Sequence, residues 1–464
     1  MTAFRKNWIT MLQRKIYKRI EDFYKSRSGK ALMIVGARQV GKSFIVEEFC
    51  KACYESFIKI DFIENSDYVS VFSDAKSKEE ILLRLSVLFG DKMIPGNTMI
   101  FFDEVQECRE LITQIKYLVQ DGTYDYILSG SLLGTVFHDI ISAPVGYMDI
   151  IQMYPLDFEE FAQANGVGTK VMNALRDSFE MKTPVDSYIH ERMMQLFELY
   201  LIVGGMPAAV SAYLETKNLR RVVDKQNAIL RLYRRDISKY NEHDRLYLNE
   251  IFDLIPSELS AKNKRFILKK LHEKARFDKY YDSFLWLKNA GVALPTNVVE
   301  EPKVPLLLSK SRNYFKLFSN DVGLLAAQYG GELQLRLLQH ETAINFGSIY
   351  ENVAAEELTA HGHTLYYYNS KKLGELDFVI EESGKVLPIE IKSGKDYYRH
   401  NAMDNVLNHN DYGINEGYVF CNGNVEQVGK LTYFPIYMLM FLQKKELPEE
   451  VLLETDFSDL GDGK

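Results

Sequence analysis

The stretch Ala31-Leu-Met-Ile-Val35, followed directly by Gly36-Ala-Arg-Gln-Val-Gly41-Lys42-Ser43, decides the fold of this chain. The first five residues are apolar and form a run short enough for a buried parallel strand. The next eight fit Gly-x4-Gly-Lys-Ser, whose glycines let backbone N–H groups curl around phosphates at the start of a helix. The sequence therefore predicts a strand, a phosphate-binding loop and a helix, in that order.

The residue types of this loop have chemical roles. Lys42 reaches the β- and γ-phosphates of a nucleotide as a point charge, and the Ser43 hydroxyl binds Mg²⁺. We therefore predict a nucleoside triphosphate with Mg²⁺ as the ligand. The predicted nucleotide contacts are Gly36, Ala37, Arg38, Gln39, Val40, Gly41, Lys42, Ser43 and Phe44.

A second apolar strand, starting at Thr98, ends in Asp103-Glu104 about 60 residues after the loop. Asp103 is predicted to hold Mg²⁺, directly or through water, and Glu104 to orient or deprotonate the attacking water. An apolar strand ending in two acids is common, but downstream of a phosphate-binding loop it indicates an ATPase-type site.

Three more apolar runs, 57–61, 124–128 and 148–153, give five predicted strands separated by helical patterns. This alternation predicts an α/β domain with a parallel sheet. The run 124–128 ends in Ser129-Gly-Ser131, and either serine is a candidate contact for the γ-phosphate or the attacking water. The alternative is that these serines simply begin a loop.

The length, charge and composition of the chain limit the classes of protein to which it can belong. The chain has 464 residues, which predicts about three domains. Its net charge of −8 excludes a surface that is uniformly suited to nucleic acid. No apolar run approaches the roughly 20 residues of a membrane span, and no signal peptide is recognisable, so we expect a cytoplasmic protein without membrane contact. Four cysteines agree with a reducing compartment, and Cys50-x-x-Cys53 is expected to pack at a helix end.

Residues 1–30 contain nine Lys or Arg and two acids, and Trp8, Ile16 and Ile20 recur at helical spacing. A basic amphipathic helix is predicted, docking on nucleic acid, on an acidic partner or on the next domain. The further predicted units are an ATPase domain (31–165), a helical extension (166–200), a helical, winged-helix-like region (201–335), a C-terminal domain (336–445) and an acidic tail (446–464).

The winged-helix-like region contains a basic stretch, Lys262 to Lys279, with eight Lys or Arg against two acids. These charges are suited to DNA phosphates, or they form a solvated or partner-facing surface. DNA contact therefore stays open. Self-association is a separate open question, because the sequence does not determine the oligomeric state.

A second chemical pattern lies near the C-terminus. Glu351 is on a predicted helix, Asp377 on a strand from Gly374, and Glu390 and Lys392 share one face of the following strand. A helix acid, a strand Asp and Glu-x-Lys on its hairpin partner are typical of the PD-(D/E)XK, restriction-endonuclease-like α/β fold. Asp377 and Glu390 would hold Mg²⁺, and Lys392 would position the attacking water. A structural hairpin with one wet face has the same pattern.

Five motifs together resemble bacterial and archaeal AAA-type ATP-binding proteins that carry a C-terminal domain of unknown function. The motifs are GARQVGKS, MIFFDEVQ, YILSGSLLG, YPLDFEEFA and YLIVGGMPAAV. The resemblance covers nearly the whole chain and implies bound ATP, Mg²⁺ and an AAA+-like ATPase domain. Relatives often have a basic residue where this chain has Tyr147, which puts an arginine finger at this position in doubt. Arg234 and Arg235 are alternative positive charges.

The sequence therefore predicts a Mg²⁺-dependent ATPase joined to a nuclease-like domain. Two alternatives remain: an ATP-switched, metal-dependent DNA nuclease, and a nucleotide-dependent DNA- or protein-binding regulator that cuts nothing.

Overall fold

The computed structural model describes most of the chain between Leu12 and Lys445. The described residues are 12–75, 77–131, 146–238, 245–261, 266, 277–330, 334 and 346–445. The predictions for residues 1–11, for most of the basic stretch 262–279 and for the tail 446–464 lie outside them. None of the helices described is long and apolar enough to cross a membrane.

The first sheet has five strands, all parallel to their neighbours. They are β1 (Ala31–Val35), β2 (Ser56–Asp61), β3 (Thr98–Asp103), β4 (Asp125–Gly130) and β5 (Met148–Gln152). Their order across the sheet is β2-β3-β4-β1-β5. The parallel sheet predicted from the sequence is confirmed. Because β4 lies between β1 and β3, the carboxyl ends of these three strands meet at one edge.

Helices cover both faces of this sheet. They are α1 (Lys15–Ser26), α2 (Lys42–Cys53), α3 (Val69–Ser73), α4 (Lys78–Phe89), α5 (Arg109–Asp121) and α6 (Phe158–Ala164). In α1, Ile16 and Ile20 are buried in the core, and Tyr17 contacts Phe49 of α2 edge to face. The described part of the basic helix thus docks on the neighbouring domain of its own chain, one of the three predicted alternatives.

A helical region follows, with α7 (Thr169–Met181), α8 (Ser187–Val203), α9 (Pro207–Thr216), α10 (Leu219–Ser238), α11 (Arg245–Ser260) and α12 (Phe277–Asn289). The predicted break at 203–207 separates α8 from α9. The predicted helix 265–272 lies outside the described residues except for Phe266, so the winged helix stays a prediction.

The second sheet is mixed and has eight strands. They are β6 (Ala293–Val299), β7 (Lys310–Ser319), β8 (Tyr366–Ser370), β9 (Gly374–Glu382), β10 (Lys385–Ile391), β11 (Gly417–Cys421), β12 (Glu426–Val428) and β13 (Leu431–Pro435). Their order is β12-β13-β11-β10-β9-β8-β6-β7. The predicted hairpin of β9 and β10 is present and antiparallel. The sheet also takes in β6 and β7, so it crosses the domain boundary predicted at residue 335.

Helices α11 and α12 pack against β7 and β6, and the later helices that contact the sheet are α13 (Val322–Tyr329), α14 (Phe346–Ala360) and α15 (Asn401–Leu407). The apolar run that starts at Ile436 forms a buried 3₁₀ helix, Ile436–Phe441. One hydrophobic core runs from Ile16 in α1 to Leu442 beyond this helix. The two sheets are therefore parts of one packed structure.

Buried charges join the two parts where the chain leaves the first sheet. Asp157 caps α6, and Lys15 Nζ lies 2.6 Å from its carboxylate. Burial alone would raise the pKa of Asp157. Lys15 and His361, which directly follows α14, nevertheless hold this pKa below its usual range. Phe158 N donates to Glu357 Oε1 at 2.7 Å, which ties α6 to α14.

The double glycine before α9 admits a close approach. The N–H of Gly205 donates to Asp321 Oδ2 at 2.6 Å, and its C=O accepts from Leu156 N at 2.7 Å. A Cβ on Gly205 would lie 2.0 Å from the Leu156 carbonyl oxygen, whereas one on Gly168 would meet nothing within 4 Å.

We therefore expect Gly205→Ala to lower the free energy of unfolding by about 1–3 kcal/mol, because the added methyl overpacks the contact between the two parts. Thermal unfolding followed by circular dichroism measures this as a lowered Tm. The control Gly168→Ala should leave the Tm within about 1 °C of wild type. Equal Tm values for the two variants would contradict this account.

Candidate functional site

The predicted phosphate-binding loop connects β1 to α2. Gly36 and Gly41 have φ values of 157° and 96°, the left-handed region that favours glycine. A Cβ on Gly36 would lie 2.2 Å from the carbonyl oxygen of Met153. The loop therefore needs glycine at both positions, and its backbone N–H groups are free of side-chain bulk where phosphate oxygens would approach.

Lys42 begins α2 and is buried beneath the loop. Its Nζ donates to the carbonyl oxygens of Gly36 and Ala37, both at 3.0 Å. Burial lowers its pKa to about 8, although the charges of Glu104 and Asp103 act in the opposite direction. Among the described residues, no carboxylate lies within 4 Å of this ammonium group. A buried cation without an ion-pair partner fits an anionic ligand at this place.

Three other segments hold the loop from outside. Arg38 forms a 2.6 Å ion pair with Asp236 of α10, and Tyr233 Oη of the same helix donates to Arg38 O at 3.2 Å. Arg14, just before α1, donates to Val40 O at 3.0 Å. A Cβ on Gly291, after α12, would lie 3.1 Å from Ala37 N. The sequence analysis predicted a ligand contact for Arg38 and missed Asp236, whose partner lies 198 residues away.

The predicted magnesium residue Asp103 is buried at the end of β3. It accepts a hydrogen bond from Ser129 Oγ of the neighbouring strand β4. Lys59 of β2 approaches it from the other side, at 3.3 Å. Burial alone would lower the pKa of Lys59, but the carboxylates of Glu47 and Asp103 raise it. The strand order thus brings Asp103 and Ser129 together, and it adds Lys59, which the sequence analysis missed.

Glu104 follows Asp103 in a left-handed conformation, with φ 57°. Its Oε2 accepts hydrogen bonds from Gln106 Nε2 at 2.6 Å and from Ser131 Oγ at 3.2 Å. The two serines of the predicted Ser-Gly-Ser turn therefore contact different acids. A carboxylate oriented by two donors at the edge of the loop can act as a base toward water.

A cavity of about 230 Å³ opens beside the loop. Its lining includes Gly41, Phe44, Leu12, Met153 and Pro207. Phe44 is 57 % exposed, which leaves its ring available to a ligand. Of the predicted contacts at the rim of the loop, Gln39 is exposed and Ser43 is half-buried.

Two of the positions considered for an arginine finger have partners away from the phosphate-binding loop. Arg234 pairs with Asp253 at 2.8 Å on the surface of α10 and α11. Tyr147 accepts a hydrogen bond from Gln120 through its hydroxyl. Neither observation assigns an arginine to the phosphate-binding loop from another part of the chain.

The predicted C-terminal site is brought together on β9 and β10. Asp377 Oδ2 accepts from Ile391 N at 2.9 Å, and Lys392 Nζ donates to Glu390 Oε1 at 2.6 Å. Glu390 is buried, and burial together with the nearby charge of Asp377 raises its pKa to about 8.

The helix acid Glu351 is also at this site, but a lysine that the sequence analysis missed lies beside it. Lys316 of β7 is fully buried, 2.8 Å from Glu375 Oε1 and 3.7 Å from Glu351 Oε2. Burial alone would lower the pKa of Lys316, yet these carboxylates raise it. The sequence did carry a signal, since Phe315-Lys316-Leu317-Phe318 is a charge inside an apolar strand.

The two sites differ in how they fit a divalent ion. At the first, Ser43 and Asp103 offer a hydroxyl and a carboxylate beside a loop suited to phosphate, a set that suits Mg²⁺ bound with a nucleotide. At the second, Ile391 N donates to one oxygen of Asp377, Lys392 donates to one oxygen of Glu390, and Lys316 lies 3.7 Å from Glu351. Among the described residues, no three His, Cys, Asp or Glu side chains are arranged to hold a metal ion.

Three family models match parts of the chain. Residues 28–162 match the family model of an AAA domain. Residues 194–335 and 346–439 match two domains of unknown function, DUF8612 and DUF4143. No curated protein matches the sequence. With the parallel sheet and the glycine loop, the first match defines residues 28–162 as a P-loop, AAA-type ATPase-like domain.

Solved structures show distant likenesses. A Walker-type ATPase of Pyrococcus abyssi is 17 % identical, with a TM-score of 0.43, over 69 % of this chain and 96 % of that one. The Orc1 protein of Aeropyrum pernix, solved in complex with DNA, is 11 % identical, with a TM-score of 0.30, over 70 % and 94 %. At these TM-scores the likenesses carry no argument about function.

The contact between α10 and the loop leads to a prediction. We expect Asp236→Asn to weaken nucleotide affinity about 10-fold, because Arg38 loses a charged partner and the loop loses a support. Isothermal titration with ATP and Mg²⁺ measures the Kd.

A matched control uses the exposed ion pair between Arg234, on the same helix, and Asp253 of α11. Asp253→Asn removes the partner of Arg234, and its nucleotide Kd should stay within about 2-fold of wild type, since exposed ion pairs contribute little. If both variants bind as wild type does, the loop does not depend on α10.

Proposed function

We propose that this protein binds ATP and hydrolyses it with Mg²⁺ at the loop between β1 and α2. The observation that carries the proposal is the buried ammonium group of Lys42, which has no carboxylate partner among the described residues and lies under a glycine loop. The acids Asp103 and Glu104, at the end of β3 on the same edge of the sheet, supply a magnesium ligand and a base for the attacking water.

The side chains have distinct roles in this proposal. Lys42 leaves the loop carbonyls and pairs with the β- and γ-phosphates. The Ser43 hydroxyl and the Asp103 carboxylate would hold Mg²⁺, which neutralises charge on the phosphates when bound. Ser129, hydrogen-bonded to Asp103 from β4, keeps that carboxylate in place. Glu104, oriented by Gln106 and Ser131, accepts the proton of the attacking water.

The cavity beside Gly41 is suited to the nucleobase. Phe44 offers an exposed aromatic ring, and Leu12, Met153 and Pro207 supply apolar walls. Ligand pockets of this kind take a flat, largely apolar group next to a polar anchor. The N-terminal segment and α9 would then both contact the nucleotide.

Steady-state ATP hydrolysis by the purified full chain with Mg²⁺ tests the proposal. Lys42→Ala should abolish tight ATP binding and turnover. Glu104→Gln should retain binding and lower kcat by about 10²–10⁴-fold, because only the base is lost. The exposed neighbours Lys51→Ala and Glu107→Gln are controls and should turn over like wild type.

Two results would contradict the proposal. One is wild-type protein that binds ATP and shows no turnover, which would favour a nucleotide switch. The other is unchanged turnover in both Lys42→Ala and Glu104→Gln, which would place hydrolysis elsewhere.

The lowered pKa of Lys42 predicts a pH dependence. Phosphate binding needs the protonated amine, so the ATP affinity of the free enzyme should be level below pH 8 and fall as the pH rises above about 8, by about 10-fold per unit. Titrations between pH 7 and pH 9.5 measure this. Lys42→Met, although weak, should show no such fall, and a fall in that variant would assign it to another group.

We propose DNA as a further partner on the predicted basic stretch 262–279, which lies largely outside the described residues. Stimulation of ATP hydrolysis by duplex or single-stranded DNA tests this contact. Nucleic-acid cleavage at the C-terminal site stays a prediction. Of the two alternatives, the regulator that binds without cutting is favoured by the paired carboxylates there. Loss of a DNA-cleaving activity in Glu390→Ala, with ATP turnover retained, would favour a nuclease instead.

A further inference from the structure

The C-terminal site contains a positive charge of its own. Lys316 lies in β7 between Phe315 and Leu317 and has no exposed surface. Its ammonium group is 2.8 Å from Glu375 Oε1, 3.7 Å from Glu351 Oε2 and 4.9 Å from the ring centre of Tyr367. The ammonium group of this buried lysine therefore lies among the carboxylates.

This placement follows from the cost of burying charge. A carboxylate beside it stabilises an ammonium group that is removed from water, and a cation stabilises a buried carboxylate in the same way. Glu351 on α14 is 2 % exposed in its side chain. Lys316 and Glu351 thus compensate each other in a place that water does not reach.

The acids on β9 and β10 also have partners. Lys392 pairs with Glu390, and Asp377 accepts a hydrogen bond from the backbone N–H of Ile391. A divalent ion such as Mg²⁺ or Mn²⁺ needs several oxygen ligands about 2.0–2.1 Å from the metal in octahedral geometry. Lys392 competes for an oxygen of Glu390, Lys316 competes for oxygens of Glu351 and Glu375, and both ammonium groups repel an incoming cation.

We propose that Lys316 is the resident cation of the C-terminal site and takes the place that a divalent metal ion would otherwise fill. The domain then keeps the acid and lysine arrangement of a nuclease-like fold without binding a metal ion. This inference does not depend on ATP hydrolysis at the other site.

Binding of Mn²⁺ to the full chain without nucleotide tests the inference, with electron paramagnetic resonance reporting free Mn²⁺. Wild type and Asp377→Asn should give the same titration, because the wild-type site holds no ion. Asn at this position still accepts from Ile391 N, so the fold is retained. Lys316→Met should bind one Mn²⁺ ion per chain more than wild type does. Adding Asp377→Asn to Lys316→Met should abolish the gain.

The control is Lys385→Met, which removes an exposed lysine at the far end of β10 and should titrate like wild type. A Mn²⁺ site in wild type that disappears in Asp377→Asn overturns the inference. So does a Lys316→Met protein that has the circular dichroism of wild type and gains no site. If Lys316→Met does not fold, the comparison of wild type with Asp377→Asn decides alone, since a wild-type site there is incompatible with a resident lysine.

Discussion

Pairing of buried charges where the chain leaves the first sheet is the constraint on which the rest of the structure depends. Asp157, Glu160 and Glu357 are each more than nine-tenths buried. A carboxylate in such a place is tolerated only with a cation or strong hydrogen-bond donors beside it. The partners come from distant segments, Lys15 from α1 and His361 from the end of α14. Each part therefore supplies partners for buried charges of the other.

The same pairing reaches the nucleotide site. Arg14 pairs with Glu160 at 3.0 Å and also donates to Val40 O in the phosphate-binding loop. Asp236 of α10 holds Arg38 from the opposite side. The phosphate-binding loop is thus held by the segment before α1 and by α10, and α10 packs against α13, which contacts β7 of the second sheet.

Much of the first sheet follows from local pattern. Apolar runs such as 31–35 mark strands because a parallel strand is buried on both faces, and the glycines of the loop mark a backbone that only glycine adopts. The hairpin of β9 and β10 is equally local, since its turn lies between adjacent strands. The addition of β6 and β7 to the second sheet is different. β6 pairs with β8, which lies almost seventy residues further along, and no periodicity in either strand records that partner.

Residue identities in this sequence by themselves determined the phosphate-binding loop, the two acids after β3 and the acids of the C-terminal strands, because short motifs carry their chemistry in adjacent or alternating positions. Only the tertiary structure decided which charges face one another. Asp236 meets Arg38 across 198 residues, and Lys316 enters the C-terminal site from a strand that the sequence analysis assigned to another domain. The physical reason is that a buried charge is compensated by whichever opposite charge the packing brings within a few ångströms, and sequence separation does not enter that energy.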